Sequence, residues 1–599
     1  MLRNEIAEQD KWDLTPVYPD VDAWNAAYQQ AEQDIQALPE VLAKMTDSAE
    51  ALYAAAKMLT KVGTEEVERL YTYAHLRYSE DTTNNEARQL MGRVQNLATA
   101  YSSASAPFDP TLLTLSAEQL EAFFKACPAL EEEYGILLRD QFRYKPYVLS
   151  EPEEKLLAAF RKERETAEET YETLTSSDLR FGTIKGESGE QEELTDTNYA
   201  MFMRSPDREV RKAAFTTLYK TYDGFRNTFA ALYAGQIEAE KTVAQVRGYG
   251  SALEASLYAD HMTPEMYGNM VSAVSGHLDV LFRYYRLKKK VFGLDEMHMY
   301  DIYLPLNTGK RRHFTYAEAV GEVLAACSIF GEEYVSILQQ GYRDRWVDVY
   351  PNTGKVGGAF SGGSATTNPY ILLNFQGLDD DVSTLAHESG HSMHSYYTRL
   401  ANPVQYADYT IFVAEVPSTV NELVLAYHRL ESTDDREEKL AILGSLLELY
   451  KGTIYRQIMF AEFEQITHAL SEAGEVLTAD LLCEKYYALN EKYFGGEIVL
   501  DKEIAREWMR IPHFYYNFYV YKYAVGLSAA SHIVRRIRNG EPDALESYFR
   551  FLKLGNTKDP IESLKVAGVD MTRTDAFDSA VAIFDELITE YETLYDEEN

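Results

Sequence analysis

Cysteine is nearly absent from this sequence. Only Cys127, Cys327 and Cys483 occur among 599 residues, each in a different apolar, helix-like segment. Their odd number and wide spacing argue against a disulfide framework and against a thiolate metal cluster. Three buried thiols are typical of a protein in a reducing compartment, so the sequence predicts a cytoplasmic location.

Long hydrophobic runs are absent too. No stretch approaches the roughly 20 apolar residues that a membrane-crossing helix needs. The first residues, MLRNEIAEQDKWDL, carry scattered charges and no apolar core, so we expect no secretory signal. The chain also lacks low-complexity segments and repeats of 20–50 residues, which argues against a solenoid.

Basic residues are scarce relative to acidic ones. The chain has 58 lysines and arginines against 95 aspartates and glutamates, a net charge of −37. A surface this acidic repels phosphate backbones and anionic lipids, so we expect neither nucleic acid nor membrane as a partner. The charges alternate with apolar positions, as on solvated helix faces, which indicates a role in solubility with a weak bias toward neutral or cationic substrates.

Helical periodicity dominates what is present. Stretches such as AEQLEAFFKACPALEEEYGILLRDQF and EYVSILQQGY place apolar residues three and four positions apart. Strand signals are few: a hairpin near 179–195, then a short strand, a glycine-rich loop and an apolar run at 371–375. The sequence therefore predicts a mainly α fold with a small β-sheet just before the helix at 382–400.

The chain is long enough for more than one domain. A long helical pattern restarts after the hairpin, which suggests a boundary near residue 200. This division gives an N-terminal helical lobe, 1–200, and a catalytic region, 201–599. Lobes that interleave along the chain remain the alternative.

The stretch STLAHESGHSMHSYY carries an H-E-x-x-H pattern on a helix-like segment. His387 and His391 are one turn apart, about 40° in azimuth and about 6 Å in rise, so both imidazoles can reach one ion. Glu388 lies about 100° round the helix, where it can take a proton from a water that the metal activates. This pattern favours a catalytic zinc site over a helix that merely carries histidines.

A catalytic zinc needs a third protein ligand. His394 is nearest, but a straight helix strings positions 387, 391 and 394 over about 10 Å, so we expect it to pack or to support the site instead. Glu415 lies far enough along the chain for a second helix to bring it alongside, with Pro417 at that helix's start or at a kink. Glu422, on the same face as Glu415, could hydrogen-bond a ligating histidine.

These residues resemble a known family. LAHESGHSMHS followed by FVAEVPSTVNE resembles the paired signature of the thimet-oligopeptidase family of zinc metallopeptidases, and more closely its oligoendopeptidase F branch. KWDLTPVYPD, LYTYAHLRYSEDT, YPNTGKVGGAFS and RIPHFYYNFYVYKYAVG support that branch, so the resemblance spans almost the whole chain. It implies two mostly helical lobes that flank a deep cleft with zinc on its floor. It also implies an enzyme that cleaves short unstructured peptides internally.

The resemblance also implies roles for individual residues. It makes His387, His391 and Glu415 the ligands of one Zn²⁺ per chain, and Glu388 the general base.

The resemblance further implies a C-terminal histidine and tyrosines that bind substrate and stabilise the tetrahedral intermediate. These would be His513 with Tyr519 and Tyr521 as catalytic groups, and Tyr516 and Tyr523 as substrate-binding groups. The thimet branch has a glycine-rich stretch between histidine and tyrosines that HFYYNFYVYKY lacks, so which tyrosine acts stays open. Helical spacing puts Tyr521 on a different stripe from the other three.

The glycine-rich loop is the last candidate element. Gly357 and Gly358 would let backbone approach a peptide closely, and residues 371–375 could bind substrate as an added strand. The sequence thus predicts a zinc-dependent endopeptidase acting on short peptides, with no obligate protein partner.

Two alternatives remain. A helical zinc carboxypeptidase or dipeptidase would need a cationic group for the substrate's terminal carboxylate, and nothing in the sequence locates one. A peptide-binding scaffold with a structural metal would have no use for Glu388.

Overall fold

A computed structural model describes residues 1–306 and 312–597 of the chain. It is mainly α-helical with two small sheets, which confirms the predicted fold class. None of its helices in the described residues combines the length and the apolar character that crossing a bilayer requires.

The α-helices are numbered in chain order. They are Val21–Leu42 (α1), Ala49–Leu59 (α2), Glu68–Glu80 (α3), Asn85–Ser105 (α4), Phe108–Leu112 (α5), Ala117–Ala126 (α6), Pro128–Arg143 (α7), Glu151–Ala159 (α8), Arg161–Thr173 (α9), Asp196–Met203 (α10), Arg208–Gly224 (α11), Arg226–Arg247 (α12), Ala252–Tyr258 (α13), Pro264–Ser275 (α14), Leu278–Val291 (α15), Tyr316–Ala326 (α16), Glu332–Arg343 (α17), Asp379–Ala401 (α18), Ile411–Ser432 (α19), Arg436–Tyr450 (α20), Arg456–Glu472 (α21), Ala479–Phe494 (α22), Tyr521–Arg538 (α23), Ala544–Leu552 (α24), Pro560–Val566 (α25) and Asp575–Asp596 (α26).

Shorter helical turns complete the helical part. The π-helical segments are Thr60–Val67, Leu174–Asp178 and Lys451–Tyr455. The 3₁₀ segments are Arg3–Glu5, Glu8–Asp10, Lys145–Tyr147, Cys327–Phe330, Val404–Tyr406, Lys502–Arg510, Pro512–Tyr515 and Gly555–Thr557.

Five short strands form the two sheets. Thr183–Lys185 (β1) and Gln191–Glu193 (β2) pair antiparallel, which confirms the hairpin predicted near 179–195. Val347–Asp348 (β3), Phe360–Gly362 (β4) and Tyr370–Leu372 (β5) form a sheet in the order β3-β5-β4, parallel between β3 and β5 and antiparallel between β5 and β4. This sheet precedes α18, as the sequence predicted.

The chain divides into two compact units that interleave. The first unit comprises Met1–Val148, Arg311–Arg429 and Ile533–Gly568, and the second comprises Leu149–Lys310, Leu430–His532 and Val569–Asn599. The predicted boundary near residue 200 lies inside the second unit. Each unit is built from three separate segments of the chain. Contacts between segments far apart in sequence cannot be predicted from local sequence patterns.

The core of the first unit joins its N-terminal helices to the small sheet. Trp12, Trp24 and Tyr73 share one buried apolar cluster with Tyr370 and Leu372 of β5. Large aromatic side chains supply much buried apolar area, so this cluster anchors the sheet that lies beside α18. Ser361 of β4 meets that helix through a hydrogen bond with Ser392, with the two hydroxyl oxygens 2.8 Å apart.

The start of α18 uses its acidic residues differently from a simple N-cap. Leu378 is the N-cap residue, and Asp381, in the first turn, accepts hydrogen bonds from the backbone N–H groups of Gln376 and Leu378 at 2.8 and 2.9 Å. The carboxylate thereby holds the incoming loop and also complements the positive end of the helix dipole.

Candidate metal centre

Two helices of the first unit bring three ligand-type side chains to one point. α18 carries His387 and His391, and α19 carries Glu415. The two histidine Nε2 atoms lie 3.2 Å apart, and each lies 3.4 Å from Oε2 of Glu415. The three predicted ligands therefore face a common centre.

The spacing and chemistry of these donors fit a zinc ion. Zinc binds imidazole nitrogen and carboxylate oxygen at about 2.0–2.2 Å, so tetrahedral ligands lie about 3.3–3.6 Å from one another. The two separations of 3.4 Å fall in that range, and the separation of 3.2 Å lies just below it. Two neutral imidazoles and one carboxylate leave a fourth position for a reacting molecule, as in catalytic zinc sites.

The close crossing of α18 and α19 depends on a glycine inside the motif. A Cβ atom on Gly390 would lie 2.4 Å from the carbonyl oxygen of Pro417 and 2.6 Å from Cα of Ser418. Pro417 lies inside α19 rather than at its start. The side-chain amide of Asn421 on α19 also donates to the Ala386 carbonyl of α18 at 3.2 Å.

Gly390 and Asn421 were not among the residues predicted for the site. An isolated glycine inside a helical pattern is a signal of close packing, and that signal was available in the sequence. The amide of Asn421 gives no comparable signal, because its partner is a backbone carbonyl on another helix.

Neighbouring polar groups orient the candidate ligands. His387 donates through Nδ1 to Oε1 of Glu422 at 2.9 Å, which directs its Nε2 toward the centre. Ser418 donates its hydroxyl to Oε2 of Glu415 at 3.1 Å. Glu422 therefore lies where the sequence analysis expected it, beside a candidate ligand rather than at the centre.

The carboxylates near the centre shift the pKa values of the groups around it. Burial lowers the pKa of His387, but hydrogen bonds to Glu415 and Glu422 outweigh burial and raise it to about 10. The hydrogen bonds from His387 and His391 hold the pKa of Glu415 well below its usual value. Three carboxylates beside two imidazoles create a negative site that suits a divalent cation.

Glu388 follows His387 on α18 and is close enough to the three donors to be influenced by their charges. Its side chain is buried, at 6% exposure, and makes no hydrogen bond to another described residue. Burial raises the pKa of Glu388, and the imidazoles of His387 and His391 offset only part of that rise. A carboxylate without a protein partner is available to a water molecule at the centre.

His394 does not join the centre. Its ring stacks on Tyr409 with centroids 3.6 Å apart and on Phe551 at 5.4 Å, and burial holds its pKa well below the usual value. Its Nδ1 atom has no hydrogen-bond partner among the described residues. The histidine packs, in line with the expectation from helix geometry.

The C-terminal histidine and three of the four tyrosines form one cluster in the second unit. His513 Nε2 lies 3.2 Å from the Tyr523 hydroxyl. Its ring centroid lies 5.7 Å from that of Tyr516 and 6.2 Å from that of Tyr519. Tyr516 is 39% exposed, whereas Tyr519 is half-buried with no hydrogen-bond partner for its hydroxyl in the described chain.

Tyr521 lies apart from this cluster. Its hydroxyl donates to Oδ2 of Asp260 at 2.9 Å, and the side chain is 1% exposed. Burial raises its pKa well above the usual value. The structure therefore does not support the predicted catalytic role of Tyr521, because the start of α23 turns this side chain into the core of the second unit.

A strained turn, which was not predicted from the sequence, separates Tyr516 from Tyr519. Asn517 and Phe518 both have left-handed backbone angles, with φ of 47° and 58°. The backbone N–H of Phe518 donates to Oε1 of the fully buried Glu464 at 3.1 Å, and Ser256 donates to the Asn517 carbonyl at 2.7 Å. These contacts hold a conformation that non-glycine residues rarely adopt.

The glycine-rich loop and the sheet require one correction. Gly357 and Gly358 are exposed, and Gly358 has a φ of 77°. Of the predicted substrate strand, residues 371–375, the first two belong to β5, which already pairs with β3 on one edge and β4 on the other, so these two leave no edge for an added strand. Among the described residues, β4 pairs only with β5, so the free edge beside α18 belongs to β4.

Two family sequence models and relatives of known name match this chain over most of its length. The sequence model of Peptidase family M3 matches residues 201–583, and that of Oligopeptidase F matches residues 112–181. The chain is similar to Oligopeptidase PepF of Bacillus subtilis, at 43% identity over 99% of this chain and 88% of the relative. It is also similar to Group B oligopeptidase PepB of Streptococcus agalactiae, at 38% identity over 99% of this chain and 98% of the relative.

A solved structure is also similar to this chain. The crystal structure of oligoendopeptidase-F from Enterococcus faecium is similar with a TM-score of 0.73 and 35% identity, over 96% of this chain and 99% of that one. Sequence identity at this level over the whole length, together with the family match, shows the family to which the chain belongs. This membership agrees with the helical fold and with the cluster of His387, His391 and Glu415. The chain belongs to peptidase family M3, in its oligopeptidase F branch, and is a peptide-bond hydrolase of the metallopeptidase type.

Proposed function

We propose that this protein is a zinc-dependent endopeptidase that hydrolyses internal bonds of short, unstructured peptides. The observation that carries the proposal is the convergence of His387, His391 and Glu415 on one centre, with Glu388 buried beside it and hydrogen-bonded to no other described residue. The relatives named oligopeptidase and oligoendopeptidase support the short substrates and the internal cleavage.

The three converging side chains would hold the zinc ion, and Glu422 would orient His387 through its Nδ1 proton. When bound there, zinc polarises the carbonyl of the scissile bond and makes water acidic enough to attack near neutral pH. Carboxylate and imidazole donors with an open position favour zinc over Mg²⁺ or Ca²⁺, which prefer all-oxygen sites.

Glu388 carries the proton transfers. Its carboxylate accepts a proton from the attacking water and delivers it to the amine that leaves when the peptide bond breaks. The side chain is buried and has no competing hydrogen bond among the described residues, so a water molecule is its natural partner. General base catalysis of this kind contributes about 10²–10⁴-fold in rate.

The histidine and tyrosine cluster of the second unit would bind substrate. The family pattern implies that His513 and a tyrosine would donate hydrogen bonds to the oxygen that becomes negative in the tetrahedral intermediate. We propose Tyr519 for this role because its ring lies beside His513 and its hydroxyl has no partner among the described residues. Tyr523 contacts His513 and Tyr516 is exposed, so these two would contact the peptide. Tyr521 is left out of the mechanism because it is bonded to Asp260.

Main-chain pairing would give the enzyme a broad substrate range. A peptide added to the free edge of β4 would hydrogen-bond through its backbone, which recognises extended chains of many sequences. Gly357 and Gly358, just before β4, leave room for the peptide because nothing lies within 4 Å of a Cβ at either position. We propose short peptides as the only required partners, and the cytoplasm as the location, in keeping with three cysteines that form no disulfide.

The decisive experiment is hydrolysis of a quenched fluorescent peptide by the wild type and by Glu388→Gln, with bound zinc measured in both. We expect the variant to retain zinc and to lose about 10²–10⁴-fold in kcat, because the amide cannot accept the proton. A chelator should abolish wild-type activity, and added zinc should restore it. Mass spectrometry should locate the cut inside the peptide.

Two controls define the outcome. Glu32→Gln makes the same chemical change on an exposed position of α1 and should leave activity unchanged. Near-normal turnover by Glu388→Gln would remove Glu388 as the base. Cleavage that requires a free peptide C-terminus, and fails on the amidated peptide, would instead indicate a carboxypeptidase.

A further inference from the structure

Two sequence stretches that the catalytic proposal leaves unused lie together in the first unit. One is the end of α3, and the other is the glycine-rich loop that leads into β4. The Ser79 carbonyl accepts from the Val356 N–H at 2.9 Å, and the Thr82 N–H donates to the Gly354 carbonyl at 2.7 Å. Backbone hydrogen bonds of this kind hold the loop against the helix and so place α3 beside β4.

The side chains of β4 alternate between two surroundings. Ser361 points to α18, where its hydroxyl meets that of Ser392, the residue after the candidate ligand His391. Phe360 lies on the opposite face, as the period of two in a strand requires. There its ring centroid lies 5.3 Å from that of His75 on α3.

His75 and Phe360 continue into a third ring. Tyr71, one turn before His75 on α3, stacks on the imidazole with centroids 5.6 Å apart and ring planes 9° from parallel. Tyr71 is 39% exposed, and His75 and Phe360 are half-buried. The three side chains form a row of rings, here termed the aromatic shelf, that is partly open to solvent.

The shelf lies at the edge of the core, because Phe360 packs against the buried cluster of the first unit whereas Tyr71 is exposed. Neither Tyr71 nor His75 makes a side-chain hydrogen bond to another described residue, so the two rings are held by ring contacts. Burial lowers the pKa of His75, so the imidazole is neutral at neutral pH and offers a flat, uncharged face. Flat rings with open faces are suited to binding another ring or a bulky apolar side chain.

We propose that Tyr71, His75 and Phe360 form a substrate subsite that selects a bulky or aromatic side chain of a peptide paired with the free edge of β4. This inference rests on the proposed endopeptidase function. In a paired peptide, successive side chains alternate between the face of Ser361 and α18 and the face of Phe360. The aromatic shelf therefore contacts one side chain of the peptide and does not contact the side chains of the two adjacent residues.

The test uses a series of quenched alanine-rich peptides in which a single phenylalanine is moved through each position around the cut that mass spectrometry identifies. For the wild type, we expect one position at which phenylalanine raises kcat/KM about tenfold over alanine, with the two flanking positions neutral. His75→Ala and Tyr71→Ala should reduce this ratio toward one, mainly through KM. Cleavage of the all-alanine peptide is measured for each variant, so that the ratio is always taken against the same enzyme.

Two further variants separate recognition from folding. His75→Phe keeps a flat ring and should keep the preference, whereas His313→Ala removes an exposed histidine elsewhere in the first unit and should change nothing. Bound zinc and thermal unfolding are measured for every variant.

The outcomes are distinct. The inference is overturned if no position prefers phenylalanine, or if the preference persists in both alanine variants. Wild-type activity that survives complete removal of the metal by a chelator would contradict the proposed function instead. The selectivity ratio of the wild type could still be measured in that case.

Discussion

Tyr519 and Tyr521 are only two residues apart, yet their side chains lie in different surroundings. The Tyr519 hydroxyl has no protein partner in the described chain and its ring lies beside His513, whereas the Tyr521 hydroxyl is bonded to Asp260 in the interior. A phenol that is already bonded to a buried carboxylate is not available to a reacting oxygen. Individual side-chain contacts, not sequence proximity, therefore distinguish the two tyrosines.

We therefore predict opposite effects for two conservative changes. Tyr519→Phe should lower kcat by about 10²–10³-fold, the usual loss when one oxyanion donor is removed, with little change in stability. Tyr521→Phe should leave kcat within about twofold and lower the free energy of unfolding by about 1–3 kcal/mol, since a hydrogen bond to a charged group is lost. Steady-state kinetics and urea unfolding measure both. Equal kcat values for the two variants would contradict the assignment.

At the scale of secondary-structure elements, the packing of α18 on α19 brings the candidate ligands together. The H-E-x-x-H pattern places two candidate ligands on one helix, and Gly390 lets the Pro417–Ser418 backbone of the helix with the third approach closely. One continuous helix carries both Glu415, the third candidate ligand, and Glu422, the hydrogen-bond partner of His387.

Gly390→Ala should disrupt this crossing. The added methyl group would lie 2.4 Å from a backbone oxygen, and backbone atoms cannot move aside as a flexible side chain can. We expect the free energy of unfolding to fall by about 1–3 kcal/mol and the affinity for zinc to fall with it, because the distances to Glu415 must lengthen. Urea unfolding and zinc titration measure these effects.

Gly92→Ala is the matched control for that change. Gly92 lies inside α4 of the same unit, and nothing lies within 4 Å of a Cβ at that position. Alanine there should stabilise the protein by about 0.5–1 kcal/mol through helix propensity alone. A stabilised Gly390→Ala variant with normal zinc binding would show that the close crossing is not needed.

At the scale of the whole molecule, the net charge of −37 is the dominant feature. A strongly negative protein attracts cationic ligands and repels anionic ones over distances set by salt. This field acts on the rate of encounter and needs no specific contact. It is therefore separate from the aromatic shelf, which acts through contact.

We predict that a peptide carrying two lysines away from the cut is hydrolysed with a kcat/KM about tenfold above that of its two-glutamate counterpart at about 0.01 M salt. The gap should close at about 1 M salt, where charges are screened beyond about 3 Å. Stopped-flow or initial-rate measurements across a salt series test this. A gap that persists at high salt would indicate a specific acidic contact, not the overall field.

Much of the fold and the site followed from local patterns. His387 and His391 were predictable because helix geometry relates positions four apart, and the hairpin was predictable from its glycine-rich turn. The buried side of Tyr521, the left-handed turn at Asn517–Phe518 and the pairing of both β5 edges were not predictable, because each depends on segments distant in sequence.

By itself, the sequence determined the helical character of the protein and the kind of chemistry at its centre, because helix periodicity and ligand type are properties of neighbouring residues. Only the tertiary structure decided which strand keeps a free edge, which tyrosine stays available and how the two units divide the chain. Those features depend on packing between distant segments, and packing is decided by shape and contact that no local spacing encodes.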